Sequence, residues 1–416
     1  KELIALTMVK GIGPAYIKKS MGQLRYQDEI ISIVRKEKPE EESMVPQYLA
    51  KAEEIINDCD RVGIGIISIL SENYPQSLFE ISSPPCILYS KGNVDLINNA
   101  ITIIGTRHST SLGNRIAERL GTYFSTKYSI CNGLVDGIDK NVVLHDNKSI
   151  PNVVGVISGG LNYSETCSLQ YAKIIDNVLD AGGLVLSEYA PNQKGDKYSG
   201  SQSSRIQAGL SKGLILVQSS VSGGSKYTMS AFSKLNRVVG VINFESSDEY
   251  KNDDSFGANR LIVQKGLLGV AEFIGIKSVS SIKLKNIIPI NTNNDYSTFE
   301  VVGSFTPTTI NTWEIADINF DNYTGTDPVT ISKTTVFVYG KFYKVAFGGK
   351  DSVTIPAGEN AVSDPVECQV RAQSVFFVSF YLADFTLMRS VVYACGPLSE
   401  GLYANGDVTR SAHISR

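Results

Sequence analysis

Histidine and tryptophan are scarce in this chain of 416 residues, which has three of the first and one of the second. Its six cysteines (Cys59, Cys86, Cys131, Cys167, Cys368 and Cys395) stand singly, with no Cys-x-x-Cys pair. That scarcity excludes a structural zinc site as a reading, and the thiols are expected to be buried and reduced. No apolar run approaches the roughly 18–20 residues that span a bilayer, and no signal-peptide pattern opens the chain. An excess of one charge is also lacking, since 39 Lys and Arg face 42 Asp and Glu, a formal −3. This balance excludes a protein that coats duplex DNA by bulk charge, but leaves room for a local basic groove. The expectation is a cytoplasmic protein with no membrane partner. Its 42% hydrophobic and 19% charged residues suit a folded chain of two or three domains.

Residues 1–75 read as helical. Glu2–Lys10 has an apolar helical rhythm that Gly11-Ile12-Gly13-Pro14 breaks, and Tyr48–Asp58 sets Leu49, Ala52, Ile55 and Ile56 on one side. From 76 to 277, short apolar runs alternate with helical stretches. The runs are Ile101–Ile104, Val153–Ile157, Leu184–Leu186, Leu214–Val217 and Val238–Ile242, with the amphipathic stretch Asn114–Lys127 after the first. Continuous runs are the mark of strands covered on both faces, so the fold class is α/β with a doubly wound parallel sheet. Residues 278–295, with the polar cluster Asn291–Asp295, read as a linker. Residues 296–416, rich in Thr, Val, Ser, Phe and Tyr, read as a β-rich, sandwich-like domain.

Four loops fall at predicted strand ends, where ligands sit in such sheets. Gly105-Thr106-Arg107-His108-Ser109 follows the first strand and leads into a helix. Small residues there let backbone amides approach an anion, hydroxyls of Thr106 and Ser109 donate, and Arg107 adds a forked cation. The spacing is not Gly-x-Gly-x-x-Gly, so no dinucleotide cofactor is implied. Gly133-Leu134-Val135-Asp136-Gly137-Ile138-Asp139 offers glycines for close approach, with Asp139 as the expected helix N-cap. Ser158-Gly159-Gly160 and Ser222-Gly223-Gly224-Ser225-Lys226 complete the set. Together they predict a phosphate-binding crevice. The turn Gly11–Pro14 reads either as a phosphate-gripping hairpin or as a plain helix stop.

These motifs, in this order, resemble the DprA/Smf family. Pro84-Pro85-Cys86-Ile87-Leu88-Tyr89-Ser90-Lys91-Gly92-Asn93 is similar to its entry segment, and Gly105-Thr106-Arg107 to its Gly-Ser-Arg loop. Gly133–Asp139 is similar to its Gly-Leu-Ala-x-Gly-Ile-Asp segment. Ser187-Glu188-Tyr189, Arg205–Ser211, Ser222–Ser225 and Gly257–Ile262 continue the series, over roughly residues 60–275. The resemblance implies a Rossmann-like domain behind a helix-hairpin-helix or SAM-like helical domain. It further implies a non-enzymatic accessory of recombination and natural transformation, without a cofactor or metal. Its partners would be single-stranded DNA, a RecA-type recombinase loaded onto it, and a second copy of the chain. The residues implied to meet DNA phosphates are Gly105, Thr106, Arg107, Ser109, Gly133, Gly137, Asp139, Gly159, Gly160, Arg205, Ser222, Gly223, Gly224, Ser225 and Lys226.

The chain departs from the family where Ser203 and Ser204 replace the Arg and Asn that usually precede Arg205. Between Pro84 and Gly275 there are 18 Lys and Arg against 16 Asp and Glu, which leaves no compensating excess. Alternatives on the same fold are sensors of nucleotide derivatives and phosphoribohydrolases of nucleoside monophosphates. The latter carry Pro-Gly-Gly-x-Gly-Thr, which Ser222–Thr228 matches poorly. Glu188, at a strand end, is expected to cap loop amides rather than to act in catalysis. Farther on, Val353–Gly358, Ser363–Val366 and Gly406–Thr409 resemble the β-rich segment that precedes some GDSL/SGNH-type hydrolase domains. The hydrolase nucleophile motif is missing, and His413 lies almost at the end.

Overall fold

The computed structural model describes residues 1–24, 30–244, 250 and 252–305, and the backbone of seven strands between 329 and 395. The chain divides into two units, Lys1–Thr308 and Thr309–Arg416.

The first unit opens with four helices, α1 (Glu2–Met8), α2 (Pro14–Leu24), α3 (Ile30–Glu37) and α4 (Val45–Val62). In α4, Ala52, Ile55 and Cys59 recur at spacings of three and four and are buried together. Gly63 ends this helix at φ +66°, and its amide turns back to the carbonyls of Asp60 and Cys59. Strand β1 (Gly65–Ser68) follows at once, inside the span expected to be helical. The helical layer therefore stops at Val62 rather than near residue 75.

The remaining strands of the sheet are β2 (Ile87–Gly92), β3 (Ala100–Ile104), β4 (Ser129–Asn132), β7 (Val153–Val156), β8 (Leu184–Ser187), β9 (Ser211–Leu216), β10 (Val238–Ile242) and β11 (Asn286–Ile290). The small hairpin β5 (Leu144–His145) and β6 (Lys148–Ser149) stands apart. Between the strands run α5 (Ser111–Ser125), α6 (Ile138–Val143), α7 (Tyr163–Thr166), α8 (Leu169–Asp180), α9 (Ser199–Leu210), α10 (Lys226–Phe232), α11 (Gly257–Lys265) and α12 (Leu267–Ile274). The sheet order is β1-β2-β8-β7-β4-β3-β9-β10-β11. Every pairing from β8 to β11 is parallel, and β1 and β2 add an antiparallel edge. All residues of β3, β7, β8 and β10 are buried, as their apolar runs require, and so are all four of the half-polar β4.

Connectivity places the crevice. From β3 the chain builds outward through β4, β7 and β8, then returns to the other side of β3 to lay down β9, β10 and β11. The loops leaving β3 and β9 thus diverge at the topological switch point.

Residues 278–295 are not a linker. They contribute β11, which pairs with β10 along its whole length, and the start of α13 (Asn294–Gly303). The polar cluster at 291–295 is a capping turn in which Asp295 accepts the amides of Asn291 and Thr292, both at 2.8 Å. In the second unit, β12 (Val329–Ser332) pairs with β15 (Ser352–Ile355). The strands β13 (Thr334–Val338), β14 (Lys341–Phe347), β16 (Val366–Gln369), β17 (Val375–Ser379) and β18 (Val391–Cys395) form a five-stranded antiparallel sheet. Of the hydrolase-like motifs, Val353–Ile355 falls in β15. Residues 356–358, 363–365, 406–409 and His413 lie outside the described residues.

Candidate nucleic-acid interface

The loop after β3 is held from both sides. The Thr106 amide donates to the Gln218 carbonyl at 2.7 Å, just beyond β9. The Gln218 side chain, fully buried, accepts from the Thr110 amide at 3.0 Å and donates to Ser255 Oγ at 2.8 Å. Thr110 caps α5 by accepting the Gly113 amide at 3.1 Å. With its ends fixed in this way, the loop projects Arg107 outward. Arg107 is exposed, and its guanidinium makes no hydrogen bond or ion pair with any described residue. A forked cation without a partner is free for an anion.

The loop after β4 packs beneath it. The Asn132 carboxamide donates to the Asp139 carbonyl and accepts the Leu134 amide, both at 3.0 Å, which holds Leu134 at φ +56°. Asp139 is not the helix N-cap. Gly137 occupies that position, and the Asp139 carboxylate instead reaches back to accept the Gly133 amide at 2.9 Å. Burial pushes its carboxyl up to about 7, against the pull of the Gly133 amide, the Arg107 charge and the amides of Gly105 and Val135.

A cavity of about 770 Å³ opens between these loops. Of the residues singled out from the sequence, Gly105, Thr106, Arg107, Gly133, Asp139, Gly223, Gly224 and Ser225 line it. Ser109 does not, because its hydroxyl turns to Asn114 Oδ1 at 2.5 Å. Gly137 lies behind the Arg107 loop. Gly159 and Gly160 pack against residues 190–195, and Ser158 is the lining residue from that turn. Ser222 and Lys226 flank the lining stretch, and Lys226 Nζ stands 5.6 Å over the Tyr227 ring.

Arg205 is turned away from the cavity. Its guanidinium donates to the Glu188 carboxylate at 2.5 Å and to the carbonyls of Ser83 and Gln202 at 2.9 and 2.8 Å. Glu188 accordingly pairs with an arginine and accepts no amide of the described residues. The turn Gly11–Pro14 joins α1 to α2, with Gly11 at φ +89°.

Other lining residues were not singled out as phosphate contacts, although Tyr227 falls in the loop read as Ser222–Thr228. Tyr198 and Tyr227 are 58% and 52% exposed, and Lys197 Nζ lies 4.9 Å over the Tyr198 ring. From α9 come Gly200, Ser203, Ser204 and Gln207, whose helical spacing was the available signal. Ser225 is 6% exposed, and its buried hydroxyl has no partner among the described residues. Among the described residues, the charged ones in the lining are Arg107 and Lys197 against Asp139, with His108 beside them. Among the described residues no cluster is placed to hold a metal, and no helix is long and apolar enough to cross a membrane.

Residues 65–272 match the family model described as DNA recombination-mediator protein A. DNA processing protein DprA of Bacillus subtilis is 30% identical over 187 residues, covering 44% of this chain and 62% of that protein. Protein Smf of a Synechocystis species is 26% identical over 257 residues, covering 57% and 62%. A solved structure of DNA processing protein A from Streptococcus pneumoniae aligns with a TM-score of 0.50 at 22% identity, over 72% of this chain and 94% of that one. That likeness speaks to the fold, and the chain spans 62% of the length of each of these two curated relatives.

Proposed function

The chain belongs to the DNA recombination-mediator protein A, or DprA/Smf, family, and from that membership we propose that it binds single-stranded DNA as a non-catalytic accessory of recombination. The observation that carries this reading is the free guanidinium of Arg107 at a cavity built on the switch point of the sheet. Phosphates would bind at Arg107 and the amides of the loops after β3 and β9, and the orphaned Ser225 hydroxyl would donate to one of them. The exposed rings of Tyr198 and Tyr227, each beside a lysine, suit stacking of bases from an unpaired strand. A duplex keeps its base faces covered. Asp139, the one carboxylate among the described lining residues, is bound by the Gly133 amide, which favours a role in shaping the loop. Loading of a RecA-type recombinase, self-association as a homodimer and a cytoplasmic setting belong to the same proposal.

The test is fluorescence anisotropy of a labelled single strand of mixed sequence, with wild type and Arg107→Ala at two salt concentrations. Binding should weaken as salt rises, and Arg107→Ala should lose about tenfold in affinity and lower the salt slope by about one. Absence of binding by wild type at low salt would overturn the reading. The neutral wall of Ser203, Ser204 and Gln207 favours a second one, a sensor of a free nucleotide. Under that reading a mononucleotide would compete as well as a strand of many nucleotides.

A further inference from the structure

The cavity has two chemically different sides. Charge sits at Arg107 and Lys197, whereas the wall formed by α9 is neutral. Ser203 and Ser204 both donate their hydroxyl protons to the Gly200 carbonyl, at 3.0 and 2.8 Å. They therefore meet the cavity with oxygen lone pairs only. One turn on, Gln207 is 5% exposed, yet its carboxamide makes no hydrogen bond with any described residue. Its amide nitrogen stands 3.2 Å from where a Cβ on Gly133 would lie, so the glycine keeps this side of the cavity open. Buried carboxamides in native folds are normally bonded, and one left facing a cavity is placed to bond what enters.

We propose that this wall reads a nucleobase with an exocyclic amino group beside an unprotonated ring nitrogen, adenine or cytosine, and that Gln207 is the specificity-determining residue. The inference rests on the single-stranded DNA reading of the cavity. The carboxamide offers an acceptor and a donor along one planar edge, the complement of an amino group next to a ring nitrogen. The second amino hydrogen then meets the acceptor oxygens of Ser203 and Ser204. Thymine presents carbonyls beside its N–H. The carboxamide can turn over to pair with that edge, but a carbonyl is then set against the serine oxygens, acceptor facing acceptor. Guanine meets the same conflict at its Watson–Crick edge, a carbonyl beside an N–H, and carries an amino group beside an unprotonated ring nitrogen only at its sugar edge.

The experiment is a competition of equal-length oligo-dA, oligo-dC and oligo-dT for the labelled strand, with wild type, Gln207→Met and Gln207→Leu. Thermal melts verify that each variant is folded. The expected result is a preference of at least about fivefold for oligo-dA or oligo-dC over oligo-dT, in line with one bidentate base contact. Either folded variant should bring the three strands within about twofold of one another by weakening the amino-bearing ones. Equal wild-type binding of all three, or a preference that survives both substitutions, overturns the base-reading wall and leaves the DNA reading standing. If no strand binds at low salt, the DNA reading itself has failed, and this inference with it.

Discussion

The Arg205 guanidinium and the Glu188 carboxylate meet at 2.5 Å, with side chains only 15% and 23% exposed. This pair makes Arg205, which the family resemblance implied would meet DNA, a brace between α9 and the end of β8, with the Ser83 carbonyl as a third point. Arg205→Ala should therefore act on stability. It strands a half-buried carboxylate and removes a donor from two carbonyls, a loss of about 1–3 kcal/mol. In urea unfolding the midpoint should fall, and the salt slope of DNA binding should match wild type. A slope reduced by about one, as expected for Arg107→Ala, would place Arg205 on a phosphate after all.

What the sequence made legible follows from which forces act locally. The apolar runs at 101–104, 153–157, 184–186, 214–217 and 238–242 all fall on strands, because a strand covered on both faces must be apolar throughout. Strand β4 has no apolar run to mark it, because Ser129-Ile130-Cys131-Asn132 is half polar, and only the loop after it signals its end. Its asparagine is spent on the loop that follows, bonded to Asp139 and Leu134. Strand β11 was hidden by Pro289, a residue that only an edge position tolerates. Loop glycines marked the ends of β3, β4 and β9 correctly, yet glycine composition does not say which face of a loop meets the cavity. Gly160 shows this, since a Cβ there would strike the Ala190 carbonyl and not a ligand. Partnerships such as Gln218 with Thr110, 108 residues apart, exist only in three dimensions.

Gly137 supports the phosphate loop from behind. It sits at φ +87°, and a Cβ there would come within 2.2 Å of the Thr106 carbonyl oxygen and 2.6 Å of the Arg107 backbone. Gly137→Ala combines a left-handed backbone penalty with a push on Arg107. Stability should fall by about 1–3 kcal/mol and DNA affinity by at least about tenfold. Gly182→Ala is the control, because Gly182 has φ +76° and a Cβ there would meet no atom of the described residues beyond its chain neighbours within 4 Å. It should cost about 1 kcal/mol and leave DNA affinity unchanged, as anisotropy beside denaturant melts will register.

Asp139 predicts a pH dependence. Its carboxyl is pushed up to about 7 in the fold, first of all by burial, from an ordinary 3.8. Between those values the folded state holds a proton that the unfolded chain releases, so stability is lost as pH rises through this window. The loss is on the order of a few kcal/mol and complete above about pH 7. Urea midpoints at pH 4.5, 6 and 8 should decline for wild type and flatten for Asp139→Asn. Binding of a single strand should also strengthen as pH falls from 8 to 6, as the carboxylate beneath Arg107 loses its charge. Carrying His108→Gln in both proteins isolates the carboxyl, and a binding curve flat in pH in that background would refute its part in anion affinity.

At the far end of α5 from the cavity, Glu300 of α13 clasps the helix. Its side chain, 12% exposed, accepts from Tyr123 Oη at 2.9 Å, Tyr128 Oη at 3.0 Å and Lys127 Nζ at 3.1 Å. Around it Phe124 packs on Tyr296 and Phe299, with ring centroids 5.5 and 5.9 Å apart. Gly213 of β9 and Gly240 of β10 leave the space that Phe299 and Phe305 fill. Removing the carboxylate takes the acceptor from two hydroxyls, while the Lys127 ammonium keeps Tyr123 Oη at 3.0 Å and its partial exposure, so Glu300→Ala should cost about 1–3 kcal/mol. Because α13 covers β10 and β11, amide exchange in Asn286–Ile290 should rise by more than the global loss alone explains. The 15 residues of α5 set the clasp about 22 Å from the loop that carries Arg107. DNA affinity of the folded variant should therefore equal wild type, and a fall in affinity at full folding would show that the clasp also sets the position of the Arg107 loop.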